Sequence, residues 1–206
     1  DVPTLEQATN LANLPFAHKW VALMPDAHAG YGMPIGGVLA AKDAVIPNAV
    51  GVDIGCGVLA VQLSDAMPQD VNRESLEKIR DKIIQAVPTG FAHHKADQVW
   101  GGFFVDSIPE VGVILRERDS ARKQLGTLGG GNHFIELQKG DDGHLWIMIH
   151  SGSRNLGLKV AMEFNTLAQM LCKMWHTELP SADLAFLPLG TQECRDYLAA
   201  MRYCID

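Results

Sequence analysis

Apolar and polar residues alternate along this chain with two different periods, and each period predicts a different element. The run "KWVALMP" reads as a strand entering a polar turn at Asp26, and "GGVLAAKDAVIP" and "GVLAVQLS" are further β-like apolar runs. "HFIELQ" and "HLWIMIH" read as two strands joined around "KGDDG". Helical spacing appears in "NRESLEKIRDKIIQAV", where Leu76, Ile79, Ile83 and Val87 share one face and are expected in the core, with Asn72 as N-cap. Thr4-x-x-Gln7 carries a capping-box signature that opens a short helix, "TLEQATNLAN". "LKVAMEFNTLAQMLCKMW" predicts a long helix whose Met and Leu stripe is expected to be core packing, not a cofactor site. A last helix begins at Thr191 ("TQECRDYLAAMRYCID") and reaches the final residue without a Gly or Asn C-cap. Residues 88 to 112 lack periodicity and read as loop. No repeat or linker interrupts the chain. Strands and helices without regular βαβ alternation predict an α+β fold, a mixed β-sheet core with flanking helices in a single domain over residues 1–206.

Composition adds three constraints. Hydrophobic residues make up 47% and charged residues 20%, enough apolar surface for a real core and too little charge for disorder. The formal net charge of −7 argues against indiscriminate binding to nucleic acid, which depends on neutralising phosphates. A local basic groove is compatible with it. Arg116, Arg118, Arg122 and Lys123 in "RERDSARK" are candidates, although that run reads first as a solvated helix face. No apolar run approaches the roughly 20 residues that span a bilayer, and no signal peptide is visible. Cysteines at 56, 172, 194 and 204 form no CxxC pair, which suits a reducing cytoplasmic setting. The chain starts at Asp1 without an initiator Met and stops inside a helix, so it is expected to be part of a longer polypeptide.

Candidate chemistry centres on "GVDIGCGV", which puts Asp53 and Cys56 three residues apart among glycines. If "GDDG" is the hairpin loop, Lys139 faces His144, Leu137 faces Trp146, Ile135 faces Met148 and His133 faces His150. Opposed residues hold their Cβ atoms about 4.5–5.5 Å apart, so the two imidazoles are expected to converge on one ion. A one-residue slip would separate them. Asp, Cys and two His suit Zn, Mn, Fe or Co, and a thiolate can bridge two cations. Two metals form the clamp used in phosphoryl transfer. Glycine-rich runs ("GTLGGGNHF", "SGSRNLG") flank both histidines and allow close backbone approach. Neither GxGxxG opening a helix nor GxxxxGK[ST] is present. Asp26 and His28 in "MPDAHAGYGMPIGG" read as further ligands, supports behind the ligands, or a structural turn. His18, His93, His94, His144 and His176 read as surface or core residues.

Taken together, "MPDAHAGYGMPIGG", "AVIPNAVGVDIGCG", "LGTLGGGNHFIE" and "HSGSR", in that order, resemble the RtcB family of RNA-splicing ligases. The resemblance runs from about Leu23 to the chain's end and is weakest over residues 65 to 122. It implies an RtcB-like fold that is incomplete on its C-terminal side. It implies a GTP- and Mn²⁺-dependent enzyme, with two ions, that joins RNA 3′-phosphate or 2′,3′-cyclic phosphate ends to 5′-hydroxyl ends in tRNA splicing or RNA repair. A histidine is guanylylated, GMP passes to the RNA 3′-phosphate, and the 5′-hydroxyl displaces it. By motif, Asp53, Cys56, His133 and His150 match metal ligands, with Cys56 as the shared thiolate. Asn132, His133, Phe134, Ile135 and Glu136 match part of the guanylate site, and Arg154 matches a residue that contacts substrate phosphate. Asn155 stands where family members commonly have Gly. The family's nucleophilic His and a further metal-binding His lie in its C-terminal half, so no catalytic histidine is expected here and the 206-residue segment alone is expected to be inactive. The rival readings are a dinuclear metal-dependent phosphoesterase working without GTP, and a non-catalytic RNA-binding module derived from the family.

Overall fold

Named strands pair antiparallel throughout and three of the longer helices pack on one another, which bears out the α+β expectation. The computed structural model describes residues 1–101 and 108–206. In chain order the elements are α1 (Val2–Ala12), β1 (Ala17–His28), β2 (Ile35–Ala41), β3 (Ala44–Val45), α2 (Pro47–Val50), β4 (Gly57–Leu63) and α3 (Arg73–Ala86). They continue with α4 (Gly112–Gln124), β5 (Phe134–Lys139), β6 (Leu145–Ser151), α5 (Leu156–Met174), β7 (Leu187–Pro188) and α6 (Gln192–Ile205). Three sheets result: β1–β2, β3–β7, and a three-stranded sheet in the order β4–β6–β5. The stretch expected to be loop, 88 to 112, carries no long element among its described residues; residues 102–107 lie outside them.

The main core is helical. Val160, Ala161, Phe164, Ala168 and Cys172 recur at helical spacing and form the buried face of α5. They join Val113, Ile114 and Ala121 of α4 and Cys194, Tyr197 and Ala200 of α6 in one cluster. Ile54, only 2% exposed, belongs to the same cluster, so the "GVDIGCG" loop is pinned to the helical core between its two candidate ligands. A smaller cluster of Leu11, Leu14, Ile46 and Leu184 ties α1 to β1 and β2.

Several local expectations are corrected. Asp1, not Thr4, caps α1: its Oδ1 accepts from Thr4 N at 3.0 Å. Gln7 instead clasps a distant backbone, donating to Gly30 O at 2.6 Å and accepting from Gly30 N at 3.0 Å. β1 does not turn at Asp26 but continues to His28 through an irregularity after Leu23. On α5 the methionines face outward, with Met162, Met170 and Met174 at 56%, 51% and 64% exposure, and the core face is Val, Ala, Phe and Cys. Asn72 does cap α3, accepting from Ser75 N at 3.0 Å. The apolar face of α3 is not core, however: Leu76 and Ile79 are exposed, Ile83 and Val87 are half-buried, and no other described element packs closely along the helix. Periodicity reports that a face is apolar; it does not supply the partner that buries it.

The hairpin register also differs. Lys139 pairs with Leu145, Leu137 with Ile147, Ile135 with Ile149 and Phe134 with His150, one residue away from the expected pairing. Gly140 N donates to His144 O at 2.9 Å, so the loop is Asp141-Asp142-Gly143, with Gly143 in the left-handed region at φ 83. Asp142 stabilises this shorter loop by accepting from His144 N at 3.0 Å and from Gln62 Nε2 of β4 at 3.0 Å. These contacts, led by the His144 backbone N–H, hold its carboxyl below the ordinary value.

Candidate metal centre

The three-stranded sheet brings the candidate ligands to one end. Cys56 immediately precedes β4, His133 immediately precedes β5, and His150 lies near the end of β6, which runs antiparallel to both. Strand pairing places Val58 and Phe134 on either side of His150. Cys56 Sγ lies 3.0 Å from His150 Nε2 and 3.9 Å from His133 Nε2, and the imidazole centroids are 5.3 Å apart. The donor atoms of Cys56, His133 and His150 all fall within 4.8 Å of one another. Asp53 Oδ2 stands beside them, 3.2 Å from His133 Nε2.

The expected convergence is therefore present, but cross-strand opposition does not produce it. Phe134 occupies the position opposite His150, and by alternation a regular strand would turn His133 to the other face. His133 instead sits just outside β5, after the Gly129–Gly131 turn, and its ring is held by the backbone. His133 Nδ1 is 3.0 Å from Leu128 O, which also accepts from Ser151 Oγ at 3.0 Å. A carbonyl can only accept, so Nδ1 is the donor in this contact and Nε2 is the ring nitrogen turned toward the cluster.

Asp53 is fixed just as specifically. Ser153 Oγ donates to Asp53 Oδ1 at 3.2 Å and accepts from Gly157 N at 2.8 Å. The carboxylate lies against Gly152, where a Cβ would fall 2.5 Å from Asp53 Cγ. A carboxylate oxygen, two imidazole nitrogens and a thiol thus face one another at short range. That donor set fits a divalent cation of intermediate softness. Partial burial, and then Asp53, push the Cys56 thiol above its ordinary value, so a cation that takes this sulfur as thiolate must displace its proton.

The other predicted residues divide by position. Phe134 meets the His150 ring edge-on at 5.5 Å. Glu136 shares that sheet face and accepts from Gln138 Nε2 at 2.6 Å, whereas Ile135 lies on the opposite face by alternation. Asn132 is exposed in the turn before His133. Arg154 Nε donates to Thr127 Oγ1 at 2.6 Å and Nη2 to Gly90 O at 3.1 Å, bracing the two loops beside the centre. Partial burial pulls its guanidinium below the ordinary value, and Asp53 offsets some of that. Arg154 also lines a cavity of about 490 Å³ with Trp100, Leu125, Arg202 and Tyr203. Asn155 adopts φ 68, a left-handed conformation that Asn tolerates better than most residues, so it keeps the turn that Gly makes without strain. Asp26 and His28 are exposed, and the contact between them is internal, His28 Nδ1 to Asp26 O at 3.0 Å; among the described residues no hydrogen bond links them to Asp53, Cys56, His133 or His150. The residues the sequence reading missed are Ser151, Ser153 and the Leu128 carbonyl. Two of them stand in the quoted "HSGSR", but a serine or a backbone oxygen has no ligand signature of its own.

Comparison with known proteins matches this chain to a family. The family model described as tRNA-splicing ligase RtcB matches residues 7–102 and 105–206. The RNA-splicing ligase RtcB of Escherichia coli (strain K12) is 38% identical, over 96% of this chain and 52% of that protein. The tRNA-splicing ligases RtcB of Pyrobaculum aerophilum and Archaeoglobus fulgidus are 35% and 33% identical, each over 96% of this chain and 50% of the relative. The chain thus spans about half the length of the curated relatives it matches, and that half holds the Asp53, Cys56, His133 and His150 cluster. The chain belongs to the RtcB family.

Proposed function

We propose that this chain supplies the metal-holding half of a GTP- and Mn²⁺-dependent RNA ligase that joins 3′-phosphate or 2′,3′-cyclic phosphate ends to 5′-hydroxyl ends. The observation that carries this reading is the convergence of Cys56, His133 and His150 within 4.8 Å, with Asp53 alongside, in a member of a family whose relatives are named as splicing ligases. Cys56, His133, His150 and Asp53 would hold Mn²⁺. Bound there, the metal neutralises the charge that develops on a phosphate during guanylyl transfer.

This chain's own residues orient and exclude. Leu128 O holds the His133 ring through Nδ1 and turns Nε2 toward the cluster, where coordination to the ion would leave that imidazole unable to attack phosphorus. His150 Nε2, 3.0 Å from Cys56 Sγ, would likewise be taken up by the ion. Phe134, edge-on to His150, and Glu136, two residues along the same face, form a wall on which a guanine could rest, together with Asn132 from the turn. Arg154 would meet substrate phosphate with the guanidinium donors not taken by Thr127 and Gly90. The nucleophilic histidine is assigned to the part of the polypeptide outside this chain.

Incubation with α-labelled GTP and Mn²⁺, followed by denaturing electrophoresis, tests the assignment. The full-length protein should acquire a heat-stable, acid-labile label and join RNA ends of the stated chemistry, whereas residues 1–206 alone should remain unlabelled. A label on residues 1–206 would overturn the assignment of roles, and a full-length protein that joins no ends would overturn the function.

A further inference from the structure

We propose that Ser153 is a positioning residue of this centre, a hydroxyl that decides which oxygen of Asp53 is presented to the cation; the proposal rests on the metal-binding reading above. The N-terminus of α5 creates the need for it. Asn155, the N-cap of α5, makes no side-chain capping bond, so the first N–H groups of the helix look elsewhere for acceptors. Ser153 Oγ takes the Gly157 N–H at 2.8 Å, capping the helix from two residues before its N-cap. Once that acceptor position is filled, the single hydroxyl proton points away from the helix, and Asp53 Oδ1 receives it at 3.2 Å.

Two consequences follow for the carboxylate. The carboxylate occupies the space that a Cβ on Gly152 would fill, so the two are packed together. With Oδ1 bound to Ser153, Oδ2 is the oxygen left facing His133 Nε2, at 3.2 Å. The hydroxyl therefore links the helix backbone to the ligand, and the start of α5 is in register with the donor set. A carboxylate without this hydrogen bond could offer either oxygen, or both, and ordering it would fall to the cation. Groups that orient a ligand from behind in this way typically contribute about 10–100-fold in metal affinity.

The test is the dissociation constant of Mn²⁺, measured on full-length protein without GTP or RNA, by electron paramagnetic resonance of the free ion. Ser153→Ala should weaken binding by about 10–100-fold. Ser153→Thr, which keeps the hydroxyl, should stay within a few-fold of wild type. Met162→Gly loosens α5 at an exposed position that makes none of the contacts to Asp53 described above, and should leave the affinity unchanged while lowering the unfolding midpoint. Wild-type affinity in Ser153→Ala would overturn the proposal and leave the metal centre standing. So would a loss in Ser153→Thr or Met162→Gly as large as that in Ser153→Ala, because the effect would then come from helix integrity and not from the hydroxyl. A wild-type protein that binds no Mn²⁺ would overturn the metal reading and this proposal together.

Discussion

Gly157→Ala sets two effects of opposite sign against each other. Gly157 is the second residue of α5, and replacing Gly by Ala in a helix ordinarily gains up to about 1 kcal/mol. Against that, a Cβ on Gly157 would fall 2.8 Å from Ile54 N and closer still to Ile54 O and Ser153 Oγ. Carbon contacts are comfortable at about 3.5–4.0 Å, so α5 and the ligand loop would have to separate by roughly 1 Å. Ile54 cannot retreat cheaply, since its side chain is buried in the helical core and moving it opens a void there. Overpacking of this kind costs about 1–3 kcal/mol, which exceeds the propensity gain. The expected outcome is a net loss of about 1–2 kcal/mol. With a urea dependence of about 1–3 kcal/mol per molar, that loss lowers the unfolding midpoint by roughly 0.3 to 2 M. Mn²⁺ affinity should fall in the same variant, because Asp53 and Cys56 ride on the displaced loop. An unchanged or raised midpoint would refute the close approach and let helix propensity win.

Cys56→Ser should lose more Mn²⁺ than Asp53→Asn in metal-to-protein ratios after dialysis, since the thiol contacts both histidines while Asp53 stands at the edge of the cluster; equal retention refutes this. Because burial and Asp53 raise the Cys56 thiol, metal binding should release its proton, and Mn²⁺ affinity should rise with pH by up to about tenfold per unit, a slope that Cys56→Ser flattens. Cys204, pushed up to about 12 by burial and then by Asp53, holds its proton in the folded state above the pH at which the unfolded thiol, near 9.0, loses it. Its contribution to stability should therefore be complete below 9.0 and lost as pH rises toward about 12, with buried Tyr197 shifted in the same direction; urea midpoints measured up the alkaline range check this, and a flat profile refutes it.

What the sequence revealed, and what it hid, follows from the range of each signal. The α3 N-cap at Asn72, the α5 and α6 helices and the strands β4 to β6 rest on local patterns, and they form where those patterns lie. The hairpin register depends on which residues close the loop. "GDDG" fits a loop of either length, and Asp142 decides for the shorter one through hydrogen bonds to His144 and to Gln62 on a strand far away in sequence. Burial of α3 and of the α5 methionines depends on neighbours that periodicity cannot supply. The convergent cluster was legible because Cys, His and Asp among glycines are chemically conspicuous. Its supports were not, because Ser151, Ser153 and Leu128 O act through single hydrogen bonds that any serine or any peptide could make.

The supports also explain why the centre survives a register different from the expected one. Had opposition across β5 and β6 placed His133, a one-residue slip would have removed it from the site. Its ring is held instead by Leu128 O, and that carbonyl is shared with Ser151 at the end of β6. Residues 151 to 157 make the remaining connections: Gly152 packs on Asp53, Ser153 binds its Oδ1, Arg154 reaches Thr127 and Gly90, and Gly157 N–H returns to Ser153. One short connection between β6 and α5 thus touches the segments that carry Asp53, His133 and His150. The donors are coupled through this backbone more than through one another, so a change within residues 151–157 should disturb the ligands together, whereas a change at one ligand leaves the others in place.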